Sequence, residues 1–202
     1  MPWLDQVDAV MVVGLPGQEG GHAVAAALVG DLEPAGRLVT SYPVTDGASP
    51  AWTVQPTGGV LVYEEGPFVG YRGYAAGRAE APAFWFGHGL GYGSWDYGEV
   101  RVARDGGAPT VTVDITNTSS RSSREVVQVY LDPAESDEPV RLVGWAAAKV
   151  APGETATVEV PCDARLWRRW DESSGGWNTL SDGGELLVGR GLGDVRGRAR
   201  LP

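Results

Sequence analysis

The hydrophobic pattern changes period near Tyr97. Upstream, Val7 to Val13 is a nearly continuous apolar run ending at Gly14, as expected for a parallel strand covered on both faces. Glycines and Gln18-Glu19 follow, and then Ala23, Val24, Ala27 and Leu28 recur at helical spacing, with Gly30 as the C-cap. Glu19 falls in the first turn of that helix, where a carboxylate meets the helix dipole favourably. Strand, glycine turn and helix form the α/β pattern. Gly58 to Val62 reads as a second buried strand, reached through a surface excursion rich in Pro and Gly from Tyr42 to Gly59.

Downstream the period becomes two. Val111, Val113 and Ile115 alternate with Thr110, Thr112, Asp114 and Thr116, which predicts a half-buried antiparallel strand. Val127, Val129 and Leu131 repeat the alternation, as do Val158 and Val160 around Glu159. Turn signals separate these runs at Asp105-Gly106-Gly107, Asn117-Thr118-Ser119, Pro152-Gly153 and Asp182-Gly183-Gly184. About seven short strands at this spacing predict a β-sandwich.

Composition narrows the class. The 202 residues include eight Trp, and 43% are hydrophobic, which is globular rather than disordered. The net charge of −10 disfavours nucleic acid and anionic membranes as partners. No apolar run approaches the ~20 residues that span a bilayer. The start, MPWLDQVDAVMVVG, lacks the basic segment and small-residue cleavage site of a signal peptide, which favours a cytoplasmic location. A single cysteine, Cys162, forms no internal disulfide and reads as a small buried hydrophobe.

The glycine turn at Gly14 to Gly21 lacks both the G-x-G-x-x-G spacing and a Gly-Lys-Ser/Thr, and Glu19 would repel a phosphate there. No nucleotide or other cofactor is expected. Two histidines, His22 and His88, are too few for a metal cluster, so no metal is expected. A Ser-His-Asp triad with Ser41 or Ser94 is a poor reading, because no G-x-S-x-G elbow exists. Aromatics crowd the stretch from Tyr63 to Tyr97, among them Tyr63, Phe68, Tyr71, Tyr74, Trp85, Phe86, Tyr92, Trp95 and Tyr97. They suit either a sugar platform or the packing of one domain on the next, and the second is preferred. Trp167, Trp170 and Trp177 surround an expected hairpin, in core or rim positions. Asn117-Thr118-Ser119 is formally a glycosylation sequon, discounted without a secretory signal.

Several long motifs go further. GLPGQEGGHAVAAALVGDLEPAGRLVTSYP (Gly14 to Pro43), YEEGPFVGYRGY (Tyr63 to Tyr74) and FWFGHGLGYGSWDY (Phe84 to Tyr97) resemble the C-terminal portion of glycoside hydrolase family 3, the β-glucosidase and β-xylosidase family. REVVQVYL, VRLVGW and VAPGETATVEV (Arg124 to Val160) resemble the fibronectin type III-like domain that ends many of its members, and GGELLVGRG (Gly183 to Gly191) resembles that domain's last strand.

The resemblance implies an α/β partial sandwich followed by an all-β immunoglobulin/fibronectin type III-like sandwich. Residues 1–97 would be the C-terminal half of the α/β domain and residues 98–202 the fibronectin-like domain. It also implies that Met-Pro-Trp-Leu matches interior sequence just before a core strand. Retaining glycosidases use two carboxyl groups roughly 5 Å apart. The resemblance puts the nucleophilic Asp on a barrel domain outside this sequence and the acid/base Glu upstream of Met1. Glu19, Glu64, Glu65 and Asp96 sit in no nucleophile motif, so no catalytic residue is assigned. Glu64 and Glu65 are expected to fix the loop carrying Gly66 and Tyr71. The reading is a structural segment of a β-glycosidase, not catalytically complete alone. Its rival is a free-standing interaction or carbohydrate-binding module. An unpaired strand at Val7 would invite self-association or a complementary barrel or sandwich chain.

Overall fold

The computed structural model describes residues 1–104, 106–135, 137–180 and 183–201. Two of the expected turn residues, Asp105 and Asp182, lie outside them. The architecture is of the expected class, an α/β-type lobe followed by an all-β sandwich.

In the first lobe, α1 (Gly20–Val29) forms where the helical period predicts it. Gly30 ends it in the left-handed conformation, φ 85°, the C-cap geometry that glycine adopts without a Cβ penalty. Glu19 is the N-cap residue rather than a first-turn one. A short helix α2 (Tyr71–Ala75) follows the YEEGPFVG segment. The strands expected at Val7–Val13 and Gly58–Val62 do not form. A strand exists only with a hydrogen-bonded neighbour, and neither segment has one among the described residues apart from a Thr57–Val60 bridge. Their side chains stand in solvent, with Val12 57% and Val62 65% exposed.

The second lobe is a three-on-four sandwich of the immunoglobulin/fibronectin kind. One sheet is ordered β1 (Trp95–Ala103), β2 (Thr110–Asn117), β5 (Thr155–Pro161). The other is ordered β4 (Arg141–Val150), β3 (Ser123–Asp132), β8 (Glu185–Gly191), β9 (Asp194–Arg200). All pairings are antiparallel. The alternating residues fill the space between the sheets as expected: Val111, Val113 and Ile115 meet Val127, Val129 and Leu131, joined by Val158, Val160, Leu186 and Val188.

A small hairpin, β6 (Arg168–Asp171) and β7 (Gly176–Thr179), stands apart. Trp167 enters the core beneath it, while Trp170 and Trp177 oppose each other edge to face at 5.5 Å on its exposed side. Cross-strand aromatics of this kind hold together a two-stranded ribbon that is marginal alone.

The run expected to be the last strand, Gly183 to Gly191, is the penultimate one. The true last strand β9 is hard to read because Arg196, Arg198 and Arg200 occupy its outward positions and Gly197 and Ala199 leave the inward face weakly apolar. Asn117, in phase with the buried valines of β2, is fully buried. Its amide nitrogen donates to the Arg121 and Val150 carbonyls at 2.8 and 2.9 Å. Its oxygen accepts from Ser119. That nitrogen is already used inside the fold, so the sequon serves the turn.

Candidate functional site

The richest polar geometry lies where the first lobe meets the sandwich. After α1 the chain turns through Glu33 and Arg37, and both side chains reach β3. Glu33 accepts from the Ser123 hydroxyl at 2.5 Å, from the Arg124 backbone at 2.7 Å and from the Tyr92 backbone at 3.2 Å. Two carbonyls at the C-terminal end of α1 are taken up from the other side. Tyr92 donates its hydroxyl to Ala27, Arg121 donates to Gly30 at 2.7 Å, and the Arg121 guanidinium lies over the Tyr92 ring.

Beside this, Glu125 is fully buried. Arg37 donates to its Oε1 at 2.6 Å, and the Arg190 Nε lies 3.0 Å from its Oε2. The two arginine side chains are only 10% and 12% exposed. A buried carboxylate shared by two guanidiniums balances desolvation against attraction, and fixes the mutual position of the segments that carry it. Arg37 comes from the first lobe, Glu125 from β3 and Arg190 from β8.

The FGHG corner forms the third part. Gly87 has φ 80°, and a Cβ there would lie 2.2 Å from the Gln128 oxygen, so only glycine fits. Gln128 donates to the Gly87 carbonyl at 2.9 Å and accepts from Tyr130 at 2.7 Å. Phe86 stacks on Tyr71 at 4.7 Å, Tyr71 meets Tyr130 edge to face, and the Leu142 N–H donates to the Tyr71 hydroxyl. These aromatics join the lobes, the role preferred from the sequence. Tyr63 instead is largely exposed. Burial pushes the Tyr97 and Tyr130 hydroxyls well above the ordinary phenol range, and the Cys162 thiol up to about 12.

The carboxylates weighed for catalysis are scattered. Glu19 pairs with His22 at 2.7 Å on the exposed face of α1. Glu64 and Asp96 are exposed, and the Glu65 carbonyl accepts from Phe68 and Arg78. Among the described residues no hydrogen bond or ion pair joins two of these four, and none joins Ser41 or Ser94 to a histidine; the Ser41 hydroxyl accepts from Phe86. Nor do the described residues hold a cluster of three His, Cys, Asp or Glu side chains arranged for a metal ion. No helix among them is long and apolar enough to cross a membrane.

Sequence reasoning does not single out Glu33, Arg37, Glu125 or Arg190. A signal exists for two of them. Glu125 is in phase with Val127 and Val129, and Arg190 with Leu186 and Val188, so each carries a charge on the core face of its strand.

The lobes and their junction define a two-domain module, an α/β lobe locked onto a fibronectin type III-like sandwich. Residues 1–92 match the Glycosyl hydrolase family 3 C-terminal domain and residues 125–191 the Fibronectin type III-like domain. Over its full length the chain is 36% identical to β-glucosidase B of Emericella nidulans, of which it covers 26%. A β-glucosidase of Rhizobium radiobacter is 38% identical over 97% of the chain, which covers 25% of that protein. Among solved structures, DesR, a β-glucosidase from Streptomyces venezuelae in complex with D-glucose, superposes with a TM-score of 0.93 at 36% identity. That match takes in all of this chain and 27% of DesR. The chain belongs to glycoside hydrolase family 3 and matches the C-terminal portion of these β-glucosidases, spanning about a quarter of their length.

Proposed function

We propose that the chain is the C-terminal scaffold of a retaining β-glycosidase that hydrolyses terminal β-linked glucose, xylose or related O-glycosides. Residues 1–97 serve as the later half of its α/β sandwich domain, and residues 98–202 as a fibronectin-like buttress. The nucleophile and the acid/base belong to polypeptide outside this chain. The observation that carries this reading is the similarity to β-glucosidases through both lobes, junction included. The chain alone is expected to release no aryl alcohol from an aryl β-glucoside above the buffer rate. Turnover that Glu65→Gln abolishes overturns the proposal and relocates the site.

The same reading supplies a partner. The apolar side chains of Val10, Val12, Val60 and Val62 are exposed on the first lobe. A complementary barrel or sandwich polypeptide covers them, and in its absence a second copy does. Light scattering of the isolated chain should then give a dimer or larger species, and a stable monomer at high concentration counts against it.

A further inference from the structure

Beyond its role as scaffold, we propose that the His88 corner is an acid-sensitive latch between the two lobes, opened when a proton on the imidazole adds a third positive charge beside Arg37 and Arg190. The geometry is that of a corner with cations in excess. The two guanidiniums share the single carboxylate of Glu125. His88, Trp85, Leu90, Arg190 and Asp194 line one cavity of about 20 Å³, room for about one water molecule. A Phe84 ring lies 5.3 Å from the imidazole and offers it no charge. The other charges facing it are Arg37 from the segment after α1, Arg190 from β8 and Asp194 from β9. Asp194 is a weak counter-charge because both its oxygens are engaged by Arg196.

The Gln128 side chain of β3 donates to the Gly87 carbonyl and ties the corner to the sandwich, and two backbone contacts inside the first lobe report whether the corner is closed. The Leu38 N–H donates to the His88 carbonyl and the Gly87 N–H to the Leu38 carbonyl, both at 2.8 Å. Burial first, and then Arg190 and Arg37, lower the imidazole's proton affinity below its ordinary value, while Asp194 opposes them. The open corner therefore takes up a proton before the closed one does. The latch holds fully above about pH 6.5 and weakens as the pH falls from there through the lower value of the closed state.

Amide exchange of Leu38 and Gly87, corrected for intrinsic rates and compared with Val113 and Val129 in the core, tests this on the full chain. Between about pH 7.5 and pH 5.5 the ratio should rise about threefold to tenfold, because protonation favours opening by as much as the open imidazole out-competes the closed one for the proton. His88→Gln should abolish the rise, and Asp194→Asn should enlarge it. A rise of equal size in His88→Gln, or none in the unaltered chain, overturns the latch. Should His88→Gln not fold, the NMR titration of His88 in the unaltered chain decides. A midpoint below about 6.5 sustains the latch and one at or above it overturns it.

Discussion

Replacing Glu125 by alanine removes the carboxylate that Arg37 and Arg190 share, and leaves two guanidiniums buried without a counter-charge. The side chain is fully buried and also accepts from the Val126 N–H at 2.8 Å. Breaking a buried ion pair from one side costs about 3–5 kcal/mol, because the remaining charge stays desolvated. Against a total stability of about 5–15 kcal/mol this is a large fraction. With a urea slope of about 2–3 kcal/mol/M, the unfolding midpoint should fall by about 1–2.5 M.

Arg37→Ala should cost less, about 1–3 kcal/mol, because Glu125 keeps Arg190 as its partner. Replacing all three residues by apolar ones of similar volume should recover most of the loss, since no charge is then left buried. Urea titration followed by far-UV circular dichroism reads all three variants. A Glu125→Ala midpoint within about 0.3 M of the unaltered chain, or a triple variant weaker than Glu125→Ala, refutes the electrostatic reasoning.

Gly87→Ala should cost about 2 kcal/mol or more in thermal unfolding, because the left-handed backbone and the Gln128 oxygen both oppose a Cβ. Asn117→Ala leaves the buried Val150 carbonyl without its side-chain donor and should cost about 1–3 kcal/mol by the same measurement. In a glycosylating host, mass spectrometry of the unaltered chain should find Asn117 unmodified. Burial holds the Cys162 thiol protonated, so a disulfide reagent near pH 8 should leave it unmodified in the folded chain and react rapidly once the chain is unfolded. The Asp163 carboxyl, held down to about 2 by hydrogen bonds from the Arg165 side chain and backbone, should titrate higher in Arg165→Ala, which removes the guanidinium and keeps the backbone N–H, as read by NMR.

The sandwich is legible in the sequence because each strand writes its burial in alternation: Val111, Val113 and Ile115 are all fully buried. Helix α1 is legible from its apolar period and from Gly30. The runs Val7–Val13 and Gly58–Val62 have strand composition, but composition supplies no hydrogen-bonding neighbour, so local pattern and actual structure part there. The junction is half legible. Glu125 and Arg190 interrupt apolar faces in phase, which marks them as buried charges, whereas Glu33 and Arg37 lie in an aperiodic turn where sequence gives no direction. The aromatic-rich stretch announces a packing surface, yet not which rings meet: Tyr71 stacks on Phe86 within the first lobe and meets Tyr130 across the lobes, while Tyr63 stays in solvent.

The scaffold role is tested most directly by substitution into a whole enzyme. The Rhizobium radiobacter β-glucosidase, with its matching C-terminal quarter replaced by this chain, should fold and hydrolyse an aryl β-glucoside, while the same enzyme lacking that quarter should not. A folded chimera with no turnover, or undiminished turnover without the quarter, would contradict the account.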